Sequence, residues 1–244
     1  MGPDVPSGHT YLDFNAPLSD ARASELVGSL QPLAGARVVD FGCGWAELLL
    51  RLVEAEPAAR GIGVDTDTVA LARGRANAAA RGLDARVRLV EADVTEWHGD
   101  PPDVAIAIGS SHAWGGTRAA LEAMRAQLRP GGRLLFGDGI WEQPPSEDAL
   151  SALGATADEF RSVAALVDLA MVCGFRILAL SVANGDEWDS FESRWCAGRE
   201  RWLLAHPDAP DAEAVREMLD EHRHGWLHGY RRVLGFAYLT LALP

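Results

Sequence analysis

The stretch Val38-Val39-Asp40-Phe41-Gly42-Cys43-Gly44-Trp45-Ala46-Glu47-Leu48 decides the fold of this chain. An apolar segment that favours a strand runs into an acidic residue, a glycine-rich turn and the start of an amphipathic helix. A strand, turn and helix in this order build a nucleotide-type site at the carboxyl edge of a parallel sheet. The turn of dinucleotide-binding folds reads G-x-G-x-x-G/A, but its last position here is Glu47, so the spacing argues against a dinucleotide.

Acidic residues also stand at the ends of later predicted strands. Ile62-Gly63-Val64-Asp65 predicts a second strand, and its final carboxylate follows Gly44 by 21 residues. A carboxylate at this place can accept hydrogen bonds from both hydroxyls of a ribose. Three more strands are predicted further along the chain, over Val87–Val94, Asp103–Gly109 and Arg133–Phe136.

The run Asp-x-Gly-x-Gly-x-Ala over Asp40–Ala46 resembles motif I of the class I S-adenosylmethionine (SAM)-dependent methyltransferases, written [D/E]-x-G-x-G-x-G. Ala46 departs from that pattern at the last glycine. The turn Leu128-Arg129-Pro130-Gly131-Gly132 resembles the L-[KR]-P-G-G turn before strand five of these enzymes. The alternative is an unrelated doubly wound domain with acids at its strand ends by chance.

The resemblance covers residues 38–136 and implies that SAM is the cofactor. In this family an acid at the place of Asp93 accepts a hydrogen bond from the adenine amino group. The residues that the resemblance assigns to the cofactor lie at the ends of the first four strands: Asp40, Gly42, Cys43, Gly44, Asp65, Thr66, Ala92, Asp93, Val94, Ile108 and Gly109.

The fold class that follows is α/β, a doubly wound Rossmann-like sheet of seven strands in a single methyltransferase domain over residues 1–244. Enzymes of this family finish with an antiparallel hairpin, for which Phe175–Leu180 and Gly235–Leu241 are the predicted strands six and seven. About fifty residues lie between them and read as two helices, and a connection of that length is unusual.

The insertion between these strands is rich in aromatic side chains, with four of the eight tryptophans of the chain. We interpret residues 186–230 as a helical lid that helps to build the acceptor pocket, with Trp195 in contact with the substrate. For most of these aromatics the alternative is packing of the lid itself, because tryptophan is usually buried for its area. Residues 1–18 resemble the cover over SAM in small-molecule methyltransferases, which assigns Tyr11 to the substrate; a frayed terminus is the alternative.

Composition narrows the class of function. The net charge is −13, and the 22 basic residues are all arginine, so Schiff-base and P-loop lysines are excluded. The acidic balance argues against nucleic acid or an anionic membrane as partner, and no apolar run approaches the length of a membrane span. Three scattered cysteines fit free thiols in the cytoplasm. The oligomeric state stays open.

Methyl transfer from SAM is an in-line displacement, so positioning can supply most of the acceleration. His112, in the segment after strand four, is the candidate general base, because imidazole titrates near neutral pH. An equal alternative is that His112 only hydrogen-bonds its loop. Trp114 in the same segment is a candidate to stack on the acceptor.

A second loop, residues 137–145, is predicted after strand five and contributes Trp141 to the substrate pocket. Asp138 and Glu142 in it are either a base, an amine-binding group or solvated turn acids. No metal is expected, since Gly109-Ser110 stand where catechol-type enzymes place an aspartate.

Three functions remain in competition. The first is a methyltransferase that acts on an oxygen or nitrogen of a small molecule without a metal. The second is a SAM-binding enzyme that uses the sulfonium as a fixed charge for other chemistry. The third is a non-catalytic SAM-binding subunit. The ligand motifs and the aromatic insertion favour the first.

Overall fold

The structure is a computed structural model that describes residues 5–244. Seven strands form one sheet in the order β3-β2-β1-β4-β5-β7-β6. Neighbouring strands among the first five pair in parallel, whereas β6 and β7 pair antiparallel. The predicted fold class is confirmed. The strands are β1 (Arg37–Phe41), β2 (Arg60–Asp65), β3 (Val87–Glu91), β4 (Val104–Ile108), β5 (Arg133–Trp141), β6 (Arg176–Val182) and β7 (Leu234–Ala242).

Eight α-helices connect and flank the strands. They are α1 (Asp20–Ser29), α2 (Glu47–Ala55), α3 (Thr68–Ala80), α4 (Thr117–Gln127), α5 (Glu147–Leu153), α6 (Val163–Val172), α7 (Gly185–Ala205) and α8 (Ala212–His224). A 3-10 helix spans Ser111–Trp114, and α8 continues directly into a π-helix over Gly225–Tyr230. No helix in the described part of the chain is both long and apolar enough to cross a membrane.

The central strands are apolar because both of their faces are buried, as is usual in parallel sheets. Four of the five β1 residues and the first four of β4 are buried. Leu49 and Leu52 on α2 are fully buried, so the helix that follows the glycine turn is fixed by its apolar face. This packing holds the strand ends, and the turns after them, in place.

The chain divides into two compact units. The first, which we call the sheet unit, consists of Ser19–Asp138, Ala164–Val182 and Phe236–Pro244. The second, the helical unit, consists of the N-terminal segment up to Leu18, Gly139–Val163 and Ala183–Gly235. The predicted cover and lid segments both fall in the helical unit, apart from residues 1–4, which lie outside the described part. Their role as cover and lid stays a prediction.

Strand β5 is longer than the sequence predicts. It continues to Trp141, so the segment from Gly137 to Trp141 is strand and not loop. The acid and glycines there suggested a turn, but Gly137 pairs with Ile108 of β4, and Ile140 forms an isolated bridge with Arg161. The paired backbone outweighs the turn propensity of this segment.

Candidate functional site

The turn after β1 is held to the end of β2 by two backbone hydrogen bonds. The amides of Gly42 and Cys43 donate to the Val64 carbonyl oxygen at 2.8 Å and 3.1 Å. Gly42, Gly44 and Ala46 have φ angles of 73°, 53° and 58°. Glycine enters this left-handed region without the steric cost that a Cβ brings, so only Ala46 is strained.

Gly42 is also required for space. A Cβ at this position would lie 2.5 Å from the Cβ of Ser110, which follows β4 by two residues. Ser110 is buried, and its hydroxyl donates to the Phe41 carbonyl oxygen at 2.8 Å. The segment after β4 is therefore tied to the end of β1. Sequence reasoning missed Ser110, and its place just beyond a strand end was the available signal.

Asp65 connects the end of β2 to the glycine turn. Its Oδ2 atom accepts the Gly44 amide at 2.7 Å, and its Oδ1 atom accepts the Asp67 amide at 2.8 Å. Each carboxylate oxygen has two lone pairs, so one on each remains for a ligand. On Gly44 a Cβ would meet no heavy atom within 4 Å, so that side of the turn is open.

Asp40 is a buried acid inside β1, directly before this turn. Burial, and then the negative charge of Asp65, raise the pKa of Asp40 to about 8. Burial, and then the negative charges of Asp40 and Asp65, raise the pKa of the Cys43 thiol. Cys43 is therefore a protonated thiol that packs near Gly63, and it is not poised as a nucleophile.

The end of β3 lies beside that of β2, since the Ala92 amide donates to the Asp65 carbonyl oxygen at 3.0 Å. Asp93 is exposed, and its Oδ1 atom accepts both the amide and the hydroxyl of Thr95. The Thr95 hydrogen bonds lower the pKa of Asp93, so this carboxylate is ionised and fixed in one orientation. Thr66 is exposed after β2, and Val94 is buried.

The cofactor residues predicted at the end of β4 lie at the same edge of the sheet. Ile108 ends the strand, and Gly109 follows with a φ of 67° and donates its amide to Gly137 at 2.8 Å. The structure thus brings the eleven predicted cofactor residues together at the carboxyl ends of four neighbouring parallel strands.

The 3-10 helix after β4 carries both His112 and Trp114. His112 is exposed, and the Trp114 ring meets the Phe41 ring edge-on, with 6.2 Å between the centroids. Asp138 of β5 anchors this segment, because it accepts the Ser111 hydroxyl at 3.0 Å and the Thr117 hydroxyl at 2.8 Å.

Asp138 is buried, which removes the solvated turn acid from the three alternatives that the sequence left open for it. It accepts hydroxyls from both ends of the segment that carries His112, which makes it a positioning residue. Glu142 is the exposed acid of the pair, and partial burial raises its pKa. The sequence alone did not distinguish these two acids, because Asp138 lies within β5 and Glu142 follows it.

The remaining predicted substrate residues lie in the helical unit. Trp141 is buried, donates its indole N–H to the Ala157 carbonyl oxygen at 3.0 Å and packs edge-on against Phe160. These contacts favour a packing role for Trp141. Tyr11 is 45% exposed, and the Arg201 guanidinium lies over its ring, 4.6 Å from the centroid.

Trp195 belongs to a polar cluster inside the helical unit that sequence reasoning missed. Its ring stacks on His222 with 4.1 Å between centroids, and His222 contacts Glu192 at 2.8 Å. Glu192 is almost fully buried and also accepts the Tyr230 hydroxyl at 2.8 Å. Tyr230 stands at the end of the π-helix. The available signal was the spacing of Glu192 three residues before Trp195, which places both on one helix face.

Comparison with known proteins finds relatives over the whole chain. A sequence model of a family described as "Methyltransferase domain" matches residues 38–132. The uncharacterized protein YjhP of Escherichia coli (strain K12) is 28% identical over 246 residues that cover 98% of each chain. The crystal structure of YjhP superposes with a TM-score of 0.88 and 24% identity, covering 97% of this chain and 98% of that one.

Two further relatives carry functional names. A SAM-dependent methyltransferase from Geobacter sulfurreducens, solved in complex with S-adenosyl-L-homocysteine, superposes with a TM-score of 0.89 and 26% identity, covering 97% of this chain and 96% of that one. The ribosomal RNA small subunit methyltransferase C of Pseudomonas aeruginosa (strain LESB58) is 31% identical over 134 residues, which cover 52% of this chain and 39% of that one.

Proposed function

We propose that this chain, which belongs to the class I SAM-dependent methyltransferases, transfers the methyl group of SAM to an oxygen or nitrogen of a small molecule without a metal. The predicted family and cofactor are confirmed, and the chain is an enzyme of the methyltransferase class. The acceptor class and the residue roles are the proposal. The observation that supports it best is the joining of the glycine turn to Asp65, since one carboxylate fixes the turn and keeps a lone pair on each oxygen for a ribose.

The strand-end residues fit SAM. We assign the ribose hydroxyls to Asp65, which keeps a free lone pair on each oxygen. Asp93, ionised and oriented by Thr95, is assigned to the adenine amino group. The open turn at Gly44 is assigned to the methionine end. The nearby Asp40, with a pKa of about 8 in the ligand-free protein, becomes ionised when the positive charges of SAM bind.

Bound SAM supplies an electrophilic methyl group, which a nucleophile must approach in line to about 3–3.5 Å. The chain contributes position and proton removal. We assign the general base to His112, because it is exposed at the carboxyl edge of β4, directly beyond the cofactor residues Ile108 and Gly109. Asp138 holds the segment that carries His112 through the hydroxyls of Ser111 and Thr117.

The small-molecule class rests on charge. A chain with a net charge of −13 and no lysine repels the phosphates of RNA and DNA. The match to the ribosomal RNA enzyme is confined to about half of this chain and leaves most of that enzyme without a counterpart. The helical unit lies wholly outside the matched family segment.

Incubation of the purified protein with methyl-labelled SAM and a metabolite extract, followed by mass spectrometry, tests the proposal. We expect label in small-molecule products in the same amount as the S-adenosylhomocysteine that is formed. If the label appears instead in ribosomal RNA added to the reaction, the acceptor is RNA and not a small molecule. Tight SAM binding without any labelled product would favour non-methyl chemistry or a non-catalytic subunit.

A further inference from the structure

One face of α7 carries an unbroken stripe of large side chains. Its members follow each other at alternating steps of four and three residues, which keeps them on the same side of a helix. They are Trp188, Glu192, Trp195, Arg199, Trp202 and His206. Trp202 packs with apolar residues of α8, among them Val215 and Leu219, so this part of the stripe faces the interior of the helical unit.

Arg199 differs from the charged residues around it. Glu192 is satisfied by Tyr230 and His222, Glu200 pairs with Arg223, and Arg194 pairs with Asp13. Arg199 is 9% exposed, and its Nε and Nη1 atoms are buried with no hydrogen-bond partner. No acid in the described part of the chain forms an ion pair with it. Burial lowers the pKa of Arg199, which the nearby Cys196 offsets only in part.

The surroundings of the Arg199 guanidinium leave two of its donors without a hydrogen-bond partner. Its central carbon lies 4.4 Å from the centroid of the Trp195 ring. A guanidinium packed over an aromatic ring keeps its N–H groups available at its edge. One helical turn further on, the indole N–H of Trp202 is also buried without a partner. Both side chains are donors only, so the missing group is an acceptor.

A buried charge without a partner destabilises a protein unless something binds to it. We propose that Arg199, on the same face of α7 as Trp202, forms a binding site for an oxyanion, a carboxylate or phosphate group. The fork of the guanidinium matches two oxygens of such a group. The binding site itself is a property of the helical unit.

Thermal unfolding tests the site without any methyl transfer. The wild-type chain is melted in sodium chloride, sodium phosphate and sodium benzoate of equal ionic strength, and with benzamide as the uncharged counterpart of benzoate. We expect phosphate or benzoate, whichever suits the site, to raise the unfolding midpoint above its value in chloride. Benzamide should leave it unchanged. The salt that raises the unfolding midpoint, phosphate or benzoate, shows whether the site binds a phosphate or a carboxylate.

Arg199→Met is the diagnostic variant, because it removes the charge and keeps an apolar side chain of similar length. We expect Arg199→Met to melt a few degrees above the wild type in chloride, since an unpaired buried charge is gone. It should bind the responding anion roughly 10- to 100-fold more weakly by calorimetry, as for a lost charged hydrogen bond. Arg216→Met, which removes an exposed charge from α8, should respond as the wild type does.

An Arg199→Met protein that melts below the wild type in chloride would identify Arg199 as a structural residue and overturn the proposal. An equal anion response in both proteins would overturn it as well. A wild type that labels nothing would refute the proposed function, while the melting data would still decide the anion site.

Discussion

The Oδ2 atom of Asp65 lies 2.7 Å from the amide nitrogen of Gly44, although 21 residues separate them in sequence. The acid that ends β2 therefore fixes the backbone of the turn that follows β1. In dinucleotide folds an acid at this place contacts only the ribose. Here the same carboxylate shapes the turn before a ligand arrives, so removing it affects two parts of the cofactor site at once.

Asp65→Ala should weaken SAM binding by about 2–3 kcal/mol, because it removes a charge-assisted acceptor from the site. Asp65→Asn keeps one oxygen, so its affinity for SAM should lie between those of Asp65→Ala and the wild type. Calorimetric titration with SAM measures both. Asp84→Ala, an exposed acid after α3, is the matched control and should bind like the wild type. Unchanged affinity in a folded Asp65→Ala protein would disprove the ribose assignment.

Ala46→Gly should stabilise the protein by about 1 kcal/mol, since Ala46 holds a left-handed backbone that costs a residue with a Cβ about 1–2 kcal/mol. Chemical denaturation measures the free energy of unfolding. Gly35→Ala provides the reverse change, because Gly35 has a φ of 70° with open space around its Cα, and it should cost a similar amount. If Ala46→Gly is less stable than the wild type, packing of the Ala46 methyl group stabilises the protein by more than the backbone strain costs.

Asp40 should make the stability of the ligand-free protein depend on pH. Its pKa of about 8 in the folded chain lies above the ordinary 3.8. The stability that Asp40 contributes is therefore full below about pH 4 and is lost as the pH rises through 8. Asp40→Asn is neutral throughout, so its advantage over the wild type in unfolding free energy should grow from pH 5 to pH 8. Parallel curves for the two proteins would show that Asp40 is already ionised.

The same acid should couple SAM binding to proton release. The positive charge of SAM favours the ionised form of Asp40, so binding lowers its pKa and releases a proton. Affinity for SAM should then increase between pH 6 and pH 8 in the wild type but not in Asp40→Asn. Calorimetry in two buffers of different ionisation enthalpy counts the protons. Equal pH dependence in both proteins would place the positive charge away from Asp40.

His112→Ala should lower kcat about 10²- to 10⁴-fold, as expected for loss of a positioned base, and leave SAM affinity nearly intact. The rate is followed on the product identified in the extract assay. His98→Ala removes an exposed histidine after β3 and should keep full activity. Nearly full kcat in His112→Ala would make the acceptor an unprotonated amine, and loss of SAM binding would move His112 into the cofactor pocket.

The sequence predicted the seven-stranded sheet and placed the cofactor residues at its strand ends, because these features depend on local patterns. The turn at Gly42–Gly44 and the acid Asp65 have fixed places relative to their strands, and the structure brings them into contact. The extension of β5 to Trp141 was missed, since Gly137-Asp138-Gly139 resembles a turn and only pairing with distant chain segments makes it strand.

Side chains that act through long-range contacts were the least predictable. Ser110 and Asp138 look like loop residues, yet both are buried. Ser110 joins the end of β4 to that of β1, and Asp138 of β5 holds the segment after β4. Arg199 was missed for a related reason. Its position on the α7 stripe can be read from spacing, but the absence of a partner is visible only when the neighbouring helices are in place.

Strand β7 is the last strand in sequence but lies between β5 and β6 in the sheet. While the chain is being synthesised, β5 and β6 leave the ribosome long before Leu234–Ala242 do, and the whole of α7 and α8 emerges in between. Until β7 is synthesised, the facing edges of β5 and β6 stay unpaired, and unpaired strand edges are sites of misassociation. A chain stopped before Leu234 therefore lacks an interior strand of the sheet, not a dispensable edge strand.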